Sequence, residues 1–236
     1  MQMLEVRGLA KYFGRFTALR DFNVSVGRGE FVSLFGRNGA GKTTFLRVVA
    51  GLSRPSEGLV RIHAPGGETL TPQASRGLMG YLSHDTALYL DLTAVENLRF
   101  YAELHGLPHA DSDLEARLAL VGLAHWGHES VRNFSRGMQQ RLAIARAFLH
   151  DPEVLLLDEP FTGLDQTGTE FLRTYLGEAH GRGKTCLMAT HDVPLGYEMS
   201  DRLIVIEKGL VTLDVPKSAL SLDRFQELYR EVAKGS

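Results

Sequence analysis

The chain has 236 residues, of which 44% are hydrophobic and 23% are charged, and its formal net charge is −2. A chain of this length lies near the upper end of what one hydrophobic core supports, and its composition excludes a disordered, collagen-like or coiled-coil protein. The 26 Lys and Arg residues are balanced by 28 Asp and Glu residues. No overall positive field would therefore attract nucleic acid, and we expect no nucleic-acid partner.

The one cysteine, Cys186, excludes an internal disulfide bond and lies in an apolar run that is typical of a buried strand. This cysteine usage indicates a reducing compartment. No segment approaches the ~18 consecutive apolar residues that a membrane-spanning helix requires. If the protein acts at a membrane, we expect another chain to supply the membrane-spanning segments.

Short β-rich runs dominate the first third of the chain. The runs at 4–9, 21–26 and 31–35 are each bounded by glycine-containing turns, which predicts strands of a mixed sheet. A glycine-rich loop follows the third run, and residues 43–50 have the character of a helix that ends at Gly51. The sequence therefore predicts a strand, a loop and a helix in direct succession.

The middle of the chain is typical of helices. Two capping-box patterns, Ser/Thr-x-x-Glu, begin at Thr93 and Ser112, and Ser135 is a good N-cap for a third helix. Apolar residues recur every three or four positions in all three segments, which gives each predicted helix one apolar face. We interpret residues 84–150 as a helical subdomain.

Strand-like and helix-like runs alternate in the last third, which predicts βα units on a parallel sheet. The predicted elements are strands at 154–157, 185–190 and 202–207 and helices at 166–180 and 193–199. The tail from Leu222 has helical spacing and should pack on the body. We expect one α/β domain over 1–236, in which 1–83 and 151–236 form the core around the helical insertion.

The loop after the third predicted strand matches the pattern G-x-x-x-x-G-K-[ST], which binds phosphate when it follows a strand and precedes a helix. Its glycines let backbone N–H groups surround a polyphosphate, its lysine reaches the β- and γ-phosphates, and its first threonine is placed to bind Mg²⁺. The candidate nucleotide-binding residues are Gly36, Arg37, Asn38, Gly39, Ala40, Gly41, Lys42, Thr43 and Thr44.

A second motif, an apolar strand that ends in Asp158 and Glu159, follows later in the chain. Alone, such a pair is usually a solvated strand end, because charged side chains are mostly exposed. Beside a phosphate-binding loop, Asp158 is expected to support the metal with Thr43, and Glu159 to orient or deprotonate the attacking water. Lys42, Glu159 and His191, which ends a later strand, are the candidate catalytic residues.

Between these motifs lies the run Phe134-Ser135-Arg136-Gly137-Met138-Gln139-Gln140-Arg141. With it, the order of motifs over essentially the whole chain resembles the ATP-binding subunits of ABC (ATP-binding cassette) transporters. The resemblance implies the ABC ATPase fold, a P-loop NTPase core with an N-terminal antiparallel β region and an inserted helical subdomain. It also implies ATP and Mg²⁺ as cofactors.

The resemblance also implies roles for single residues. Phe13 would stack on adenine, and His191 would act as the switch histidine at the γ-phosphate. Ser135 and Gly137 would contact the γ-phosphate that the other subunit of a head-to-tail dimer binds. Asp165, in the loop after the second carboxylate, would lie at the dimer interface.

Two residues depart from the family pattern. His84 stands where the family usually has a glutamine that senses Mg²⁺ and couples to the membrane subunit; an imidazole can offer an acceptor there, but Mg²⁺ prefers oxygen ligands. Arg136 stands where glycine is more common, so its side chain points away from the nucleotide or meets the partner subunit. The sequence leaves these two possibilities for Arg136 open.

The functional expectation is a peripheral ATPase subunit at the cytoplasmic face of a cell membrane. It would work with an integral membrane permease and a second ATP-binding subunit, in a homodimer or a heterodimer. His84, the run at 92–98 and the chain length resemble the haem-exporter ATPases of cytochrome c maturation, while the signature also occurs in exporters of other cargoes. A soluble ABC ATPase without a transport role is the alternative. We expect the apolar face of a helix at 94–105 to be the docking surface.

Overall fold

A computed structural model describes residues 2–83 and 85–234. Within these residues the chain forms ten strands: β1 Gln2–Phe13, β2 Phe16–Gly27, β3 Phe31–Phe35, β4 Glu57–His63, β5 Thr69–Leu70, β6 Met79–Leu82, β7 Val154–Asp158, β8 Thr185–Ala189, β9 Arg202–Glu207 and β10 Leu210–Pro216. The same residues form seven α-helices: α1 Lys42–Val49, α2 Ala94–Leu104, α3 Asp111–Leu120, α4 Arg136–Ala147, α5 Gln166–Gly181, α6 Val193–Met199 and α7 Leu222–Lys234.

The strands form two sheets. An antiparallel sheet has the order β2-β1-β4-β5 and contains the first two predicted strands. The larger sheet has the order β10-β9-β3-β8-β7-β6 and is parallel except for β10. The prediction of an α/β fold with an N-terminal antiparallel region is therefore confirmed.

The larger sheet is the core of the molecule, because β3, β7 and β8 are buried along their whole length. Continuous apolar runs of this kind are typical of parallel strands that are covered on both faces. Helix α1 joins the two sheets, since the ring of Phe45 lies 4.6 Å from that of Phe22 on β2. In register, Ala189 of β8 is level with Leu34 of β3 and with Asp158 of β7. The residues that follow these three strands therefore emerge at one edge.

The predicted helices of the middle segment are present as α2, α3 and α4. The capping box at Thr93 is confirmed, because its side chain accepts from the Glu96 backbone N–H and the Glu96 carboxylate accepts from the Thr93 backbone N–H. The predicted start at Ser112 is wrong. Helix α3 begins at Asp111, and its N-terminus is closed by the Asp113 carboxylate, which accepts from the Ala110 backbone N–H at 3.2 Å.

The apolar face of α2 does not face solvent. Ala94 and Leu98 are fully buried in a core that α2 shares with the other helices of this segment. The expectation that this face is a docking surface is therefore wrong, because the hydrophobic effect already buries it inside the subunit. Among residues 2–83 and 85–234, no helix combines the length and the apolar character that crossing a bilayer requires.

The close packing between β3 and α6 can be tested by substitution of Gly196. A Cβ atom at Gly196 of α6 would lie 2.7 Å from ring atoms of Phe35 and 2.7 Å from the Thr190 side chain. Gly196→Ala should therefore lower the free energy of unfolding by about 1–3 kcal/mol, measured by urea denaturation. Gly177→Ala is the control, since a Cβ there would meet no atom within 4 Å on the exposed side of α5. The control should stabilise by about 0.5–1 kcal/mol, and equal stability of the two variants would contradict the packing.

Candidate functional site

The phosphate-binding loop connects β3 to α1 and has little room for any residue except glycine at two positions. A Cβ at Gly36 would lie 2.4 Å from the Ile206 backbone oxygen, and a Cβ at Gly41 would lie 2.7 Å from that of Ala18. Gly41 also has a positive φ of 113°, which side-chain-bearing residues rarely adopt. The chain can therefore turn tightly beneath the strand end, so that the backbone N–H groups at the start of α1 face the loop, an arrangement that favours anions.

Lys42 lies inside this loop. Its Nζ donates to the Gly36 backbone oxygen at 2.7 Å and lies 3.9 Å from Glu159 Oε1. Burial lowers the pKa of Lys42, and the nearby carboxylates of Glu159 and Asp158 oppose that change. Since its present neighbours do not fully compensate for its burial, the ammonium group favours a more highly charged partner, such as a polyphosphate.

Thr43 and Asp158 contact each other at the mouth of the loop, where the Thr43 hydroxyl donates to Asp158 Oδ1 at 3.0 Å. Both groups carry oxygen atoms, and Mg²⁺ prefers oxygen ligands together with phosphate. Asp158 is buried at the carboxyl end of β7. The donor set therefore fits the magnesium ion expected here, with Thr43 and Asp158 on its protein side.

Glu159 and His191 form the second pair that the strand ends bring together. Glu159 has a left-handed backbone with φ of 51°, and its N–H donates to the Ala189 carbonyl at 2.9 Å. This turn directs its carboxylate to His191, whose Nδ1 lies 2.8 Å from Glu159 Oε2. A carboxylate only accepts, so Nδ1 carries the proton. The paired groups can together hold a water molecule at the end of a phosphate chain.

The predicted signature residues lie on the surface of a different region. Ser135 is the N-cap of α4, where its hydroxyl accepts from the Met138 backbone N–H at 3.2 Å, and it is exposed. A Cβ at Gly137 would lie 3.6 Å from the Gly163 carbonyl. Asp165 is the N-cap of α5 and pairs with Arg141 of α4 at 3.4 Å. The signature and the loop before α5 therefore form one surface.

The cavity along the phosphate-binding loop is lined, among the described residues, by Phe16, Ala18, residues 37–44, Asp158 and Glu159. Ser135 and Gly137 do not line this cavity within one chain. The exposed Arg136 side chain lies beside them on the surface. His84 lies outside the described residues, so its expected sensor role stays a prediction.

Phe16 is an aromatic residue that the sequence reasoning missed. Phe13 and Phe16 face each other at the end of the β1–β2 hairpin, and both are exposed, at 54% and 60%. Phe16 lines the cavity of the loop, while Lys11 Nζ lies 4.9 Å from the centre of the Phe13 ring. The signal for Phe16 was the short turn that makes it the strand partner of Phe13.

A larger cleft of about 440 Å³ begins at Thr43 and Asp158 and runs between the large sheet and the helical segment. Its lining is rich in positive and imidazole groups: Arg47, Arg76, His105, Arg146 and His150. The rings of His105 and His150 stack at 3.9 Å. Burial is the main cause that lowers the pKa of both histidines, that of His150 to about 4. The imidazoles are therefore neutral at pH 7, and the charge of the cleft comes from its three arginines and from the two carboxylates of Asp85 and Asp158.

Comparison with known proteins identifies the family. The family model for ABC transporters matches residues 19–162. The ABC transporter ATP-binding protein NatA of Bacillus subtilis is 37% identical over 201 residues, which cover 82% of this chain and 80% of that protein. The sulfate/thiosulfate import ATP-binding protein CysA of Pectobacterium atrosepticum is 34% identical over 215 residues, which cover 88% of this chain and 64% of that protein.

A solved structure agrees with this result. The ATP-binding cassette MJ0796, in a dimeric post-hydrolysis state bound to ADP and phosphate, has a TM-score of 0.82 and 26% identity, with 91% of this chain and 99% of that chain covered. The chain therefore belongs to the ABC transporter family. It is an ATP-binding subunit with the ABC ATPase fold, and it is an ATPase.

The position of Lys42 predicts that its removal weakens nucleotide binding without lowering the stability of the protein. Lys42→Met should weaken MgATP binding roughly tenfold to a hundredfold, because a charged donor to phosphate is lost. The free energy of unfolding should stay equal or rise. Since folding lowers the pKa of Lys42, the charged form is disfavoured in the folded state, and removal of the charge relieves that cost at neutral pH.

Lys184→Met is the matched control for this experiment. Lys184 pairs with Asp151 at 3.2 Å and Glu153 at 3.0 Å, and none of the three lines the cavity of the phosphate-binding loop. This variant should lose stability and keep its nucleotide affinity, measured by titration with a fluorescent ATP analogue and by urea denaturation. Unchanged nucleotide affinity in Lys42→Met would contradict the assigned role.

Proposed function

We propose that the edge of the large sheet hydrolyses ATP through the groups that emerge there. The observation that carries this proposal is the contact between Glu159 and His191, 2.8 Å apart, with Glu159 also 3.9 Å from the Lys42 ammonium. Phosphoryl transfer needs a positioned nucleophile and a cation at the transferred group. These three residues supply both from different parts of the chain.

In the proposed reaction, the oxygen of a water molecule attacks the γ-phosphorus of ATP while the bond from that phosphorus to the β-γ bridging oxygen breaks. Glu159 orients the water and accepts its proton, and His191 holds the Glu159 carboxylate and faces the γ-phosphate. Lys42 and the loop N–H groups stabilise the charge on the phosphate oxygens. ADP and inorganic phosphate leave. A bound Mg²⁺, held by Thr43 and Asp158, would neutralise part of the phosphate charge.

The adenine ring lies on the hairpin end in this proposal. Phe13 and Phe16 are exposed aromatic faces beside the loop, and an exposed ring that can stack on a base is stabilised when the base covers it. Phe13 is the residue that the sequence predicts for stacking. Phe16, on the opposite strand of the hairpin, also lines the cavity, so it would contact an adenine ring in the same position.

The active unit is proposed to be a dimer. Ser135 and Gly137 begin a twelve-residue helix whose N-terminus is exposed, and such an end attracts anions. Within the described part of one chain they do not line the loop cavity, so a γ-phosphate would reach them only from a second subunit. Asp165, next to them through Arg141, then lies at the interface. A second copy or a similar chain both fit.

A membrane permease is the proposed partner, at the cytoplasmic face of the membrane. Its cytoplasmic segment would dock in the cleft that begins at Thr43 and Asp158, because this position lets docking and nucleotide state affect each other. The three arginines of the lining outnumber its two aspartates and favour a segment with acidic side chains. Leu90 and Leu104 are exposed at 45% and 66%, on the chain segments that supply Ala87 and His105 to the lining, and offer apolar contacts beside it.

Haem export is the proposed cargo assignment, and it is supported by the histidine at position 84 and the run at 92–98. The compared relatives carry other names, and CysA is an import protein. The cargo is therefore an outcome of the docking experiment described below.

Glu159→Gln tests the chemistry. Its amide cannot accept the proton, so ATP turnover should fall by at least about a hundredfold while MgATP is still bound. Phosphate release measures turnover, and light scattering in MgATP measures dimer formation, which should persist. Glu178→Gln on the exposed face of α5 is the control and should keep full turnover. Unchanged hydrolysis in Glu159→Gln would show that another group acts on the water.

The docking surface is tested with tagged protein recovered in detergent from its native cells. Wild-type protein should retain a protein with several membrane spans, whereas Leu90→Glu and Leu104→Glu should lose it, because a carboxylate at an apolar contact opposes burial. Leu120→Glu, at a side chain that is 62% exposed on α3, is the matched control and should retain the partner.

The eluate also decides the cargo, since a haem absorption band with a membrane partner supports haem export. A membrane partner without haem contradicts that cargo and leaves the transport function. If only soluble or ribosomal proteins are retained, the alternative of an ABC ATPase without a transport role replaces the proposal.

A further inference from the structure

The C-terminal helix α7 lies against the strand that leads into the phosphate-binding loop. Phe225 of α7 is fully buried, and its ring lies 4.9 Å from that of Phe35, the last residue of β3. The Tyr229 ring, one turn further along α7, lies 6.3 Å from the Phe35 ring and 6.4 Å from that of Phe225. These rings fix Tyr229 beside the first residue of the loop.

A cavity of about 250 Å³ separates the back of the loop from α7. Its lining comprises residues 36–40, residues 205–208, Tyr229 and Val232. The half-buried Tyr229 lies here with its hydroxyl in hydrogen-bond contact with the Gly36 backbone. Burial raises the pKa of Tyr229 and the charge of Glu159 adds to the rise, while Arg37 and the Gly36 hydrogen bond oppose it. The phenol is therefore neutral at pH 7, and its pKa depends on groups of the loop, Gly36 and Arg37, as well as on Glu159.

Gly36 is held from several directions. Its carbonyl accepts from Lys42 Nζ at 2.7 Å. A Cβ at this position would meet the Ile206 carbonyl at 2.4 Å and the Ala40 side chain at 3.0 Å, so the backbone of β9 and the loop itself confine it. Tyr229 contacts the same residue from α7. A shift of Gly36 would move the carbonyl that fixes the Lys42 ammonium.

We infer that Tyr229 is a positioning residue for nucleotide binding, whose hydroxyl fixes the Gly36 backbone and, through it, Lys42 and the phosphate-binding loop. Helix α7 thus contributes to the nucleotide site although its side chains at 222–232 do not line the cavity where the phosphates would lie. Because the loop holds phosphate in the ground state and in the transition state alike, loss of this contact should weaken binding without slowing the chemical step.

Tyr229→Phe is the test, because it keeps the ring contacts with Phe35 and Phe225 and removes only the hydroxyl. In the purified full-length chain, the affinities for MgATP and MgADP should each fall about threefold to tenfold, the range expected for one hydrogen bond. KM for ATP should rise by the same factor and kcat should stay within about twofold. The melting temperature shows whether the variant is folded.

Tyr197→Phe is the matched control. Tyr197 also contacts Phe225, with ring centres 6.3 Å apart, but its hydroxyl donates to the Leu220 carbonyl at 2.7 Å, which lies outside the phosphate-binding loop. This variant should keep its nucleotide affinity even if its melting temperature falls. The inference is overturned if Tyr229→Phe binds nucleotide as tightly as the wild type. It is also overturned if Tyr197→Phe loses the same affinity, because the effect would then be a general loosening of α7.

Discussion

The site depends on one buried charge, the Lys42 ammonium, which the phosphate-binding loop encloses at the carboxyl edge of a parallel sheet. Burial of an ammonium costs free energy, and here carbonyl oxygens and a nearby carboxylate only partly offset it. A polyphosphate would offset it further, because it brings several negative charges to the ammonium. The same edge receives Asp158, Glu159 and His191, since the register of β3, β7 and β8 places their ends at one level. The sheet thus assembles, from distant parts of the sequence, groups that have little chemistry alone.

The fold was predictable from the sequence where turn residues mark both ends of an element. The strands Phe31–Phe35 and Arg202–Glu207 have the predicted bounds because they are apolar runs between turn residues. The helix Val193–Met199 also has the predicted bounds, and it follows the N-cap Asp192. The start of α3 was not predictable by the same reasoning. Ser112 could cap the helix from its own position, but the helix begins one residue earlier, at Asp111, and the Asp113 carboxylate caps it from inside the first turn. The face of α2 was misjudged because an apolar stripe does not indicate whether its own subunit covers it.

The residues of the site likewise fall into those that the sequence predicts and those that only the structure reveals. Lys42, Thr43, Asp158 and Glu159 belong to short motifs, and a motif carries its own local geometry. Phe16 and Tyr229 have no such pattern. Phe16 reaches the cavity through the register of a hairpin, and Tyr229 reaches Gly36 across 193 positions of sequence through the packing of three aromatic rings. The helical spacing of the tail predicts that α7 packs on the body, but it does not predict which residue Tyr229 contacts, so a structure is needed to find that contact.

The contact between α4 and the end of β7 offers a route by which the proposed second subunit would affect the proposed chemistry at Glu159. Gln140 of α4 donates to the carbonyl of Pro160 at 3.5 Å, and Pro160 directly follows Glu159. Arg141, the next residue, holds Asp165 at the start of α5.

If a phosphate from another subunit binds at the N-terminus of α4, as we propose, it binds to a helix that contacts Pro160, the residue after the proposed catalytic carboxylate. Glu159 has a left-handed backbone that its hydrogen bond to Ala189 maintains, and a conformation of this kind persists only while the surrounding contacts impose it. Binding at one nucleotide site would therefore adjust the carboxylate of the other through main-chain contacts, without any direct contact between the two nucleotides.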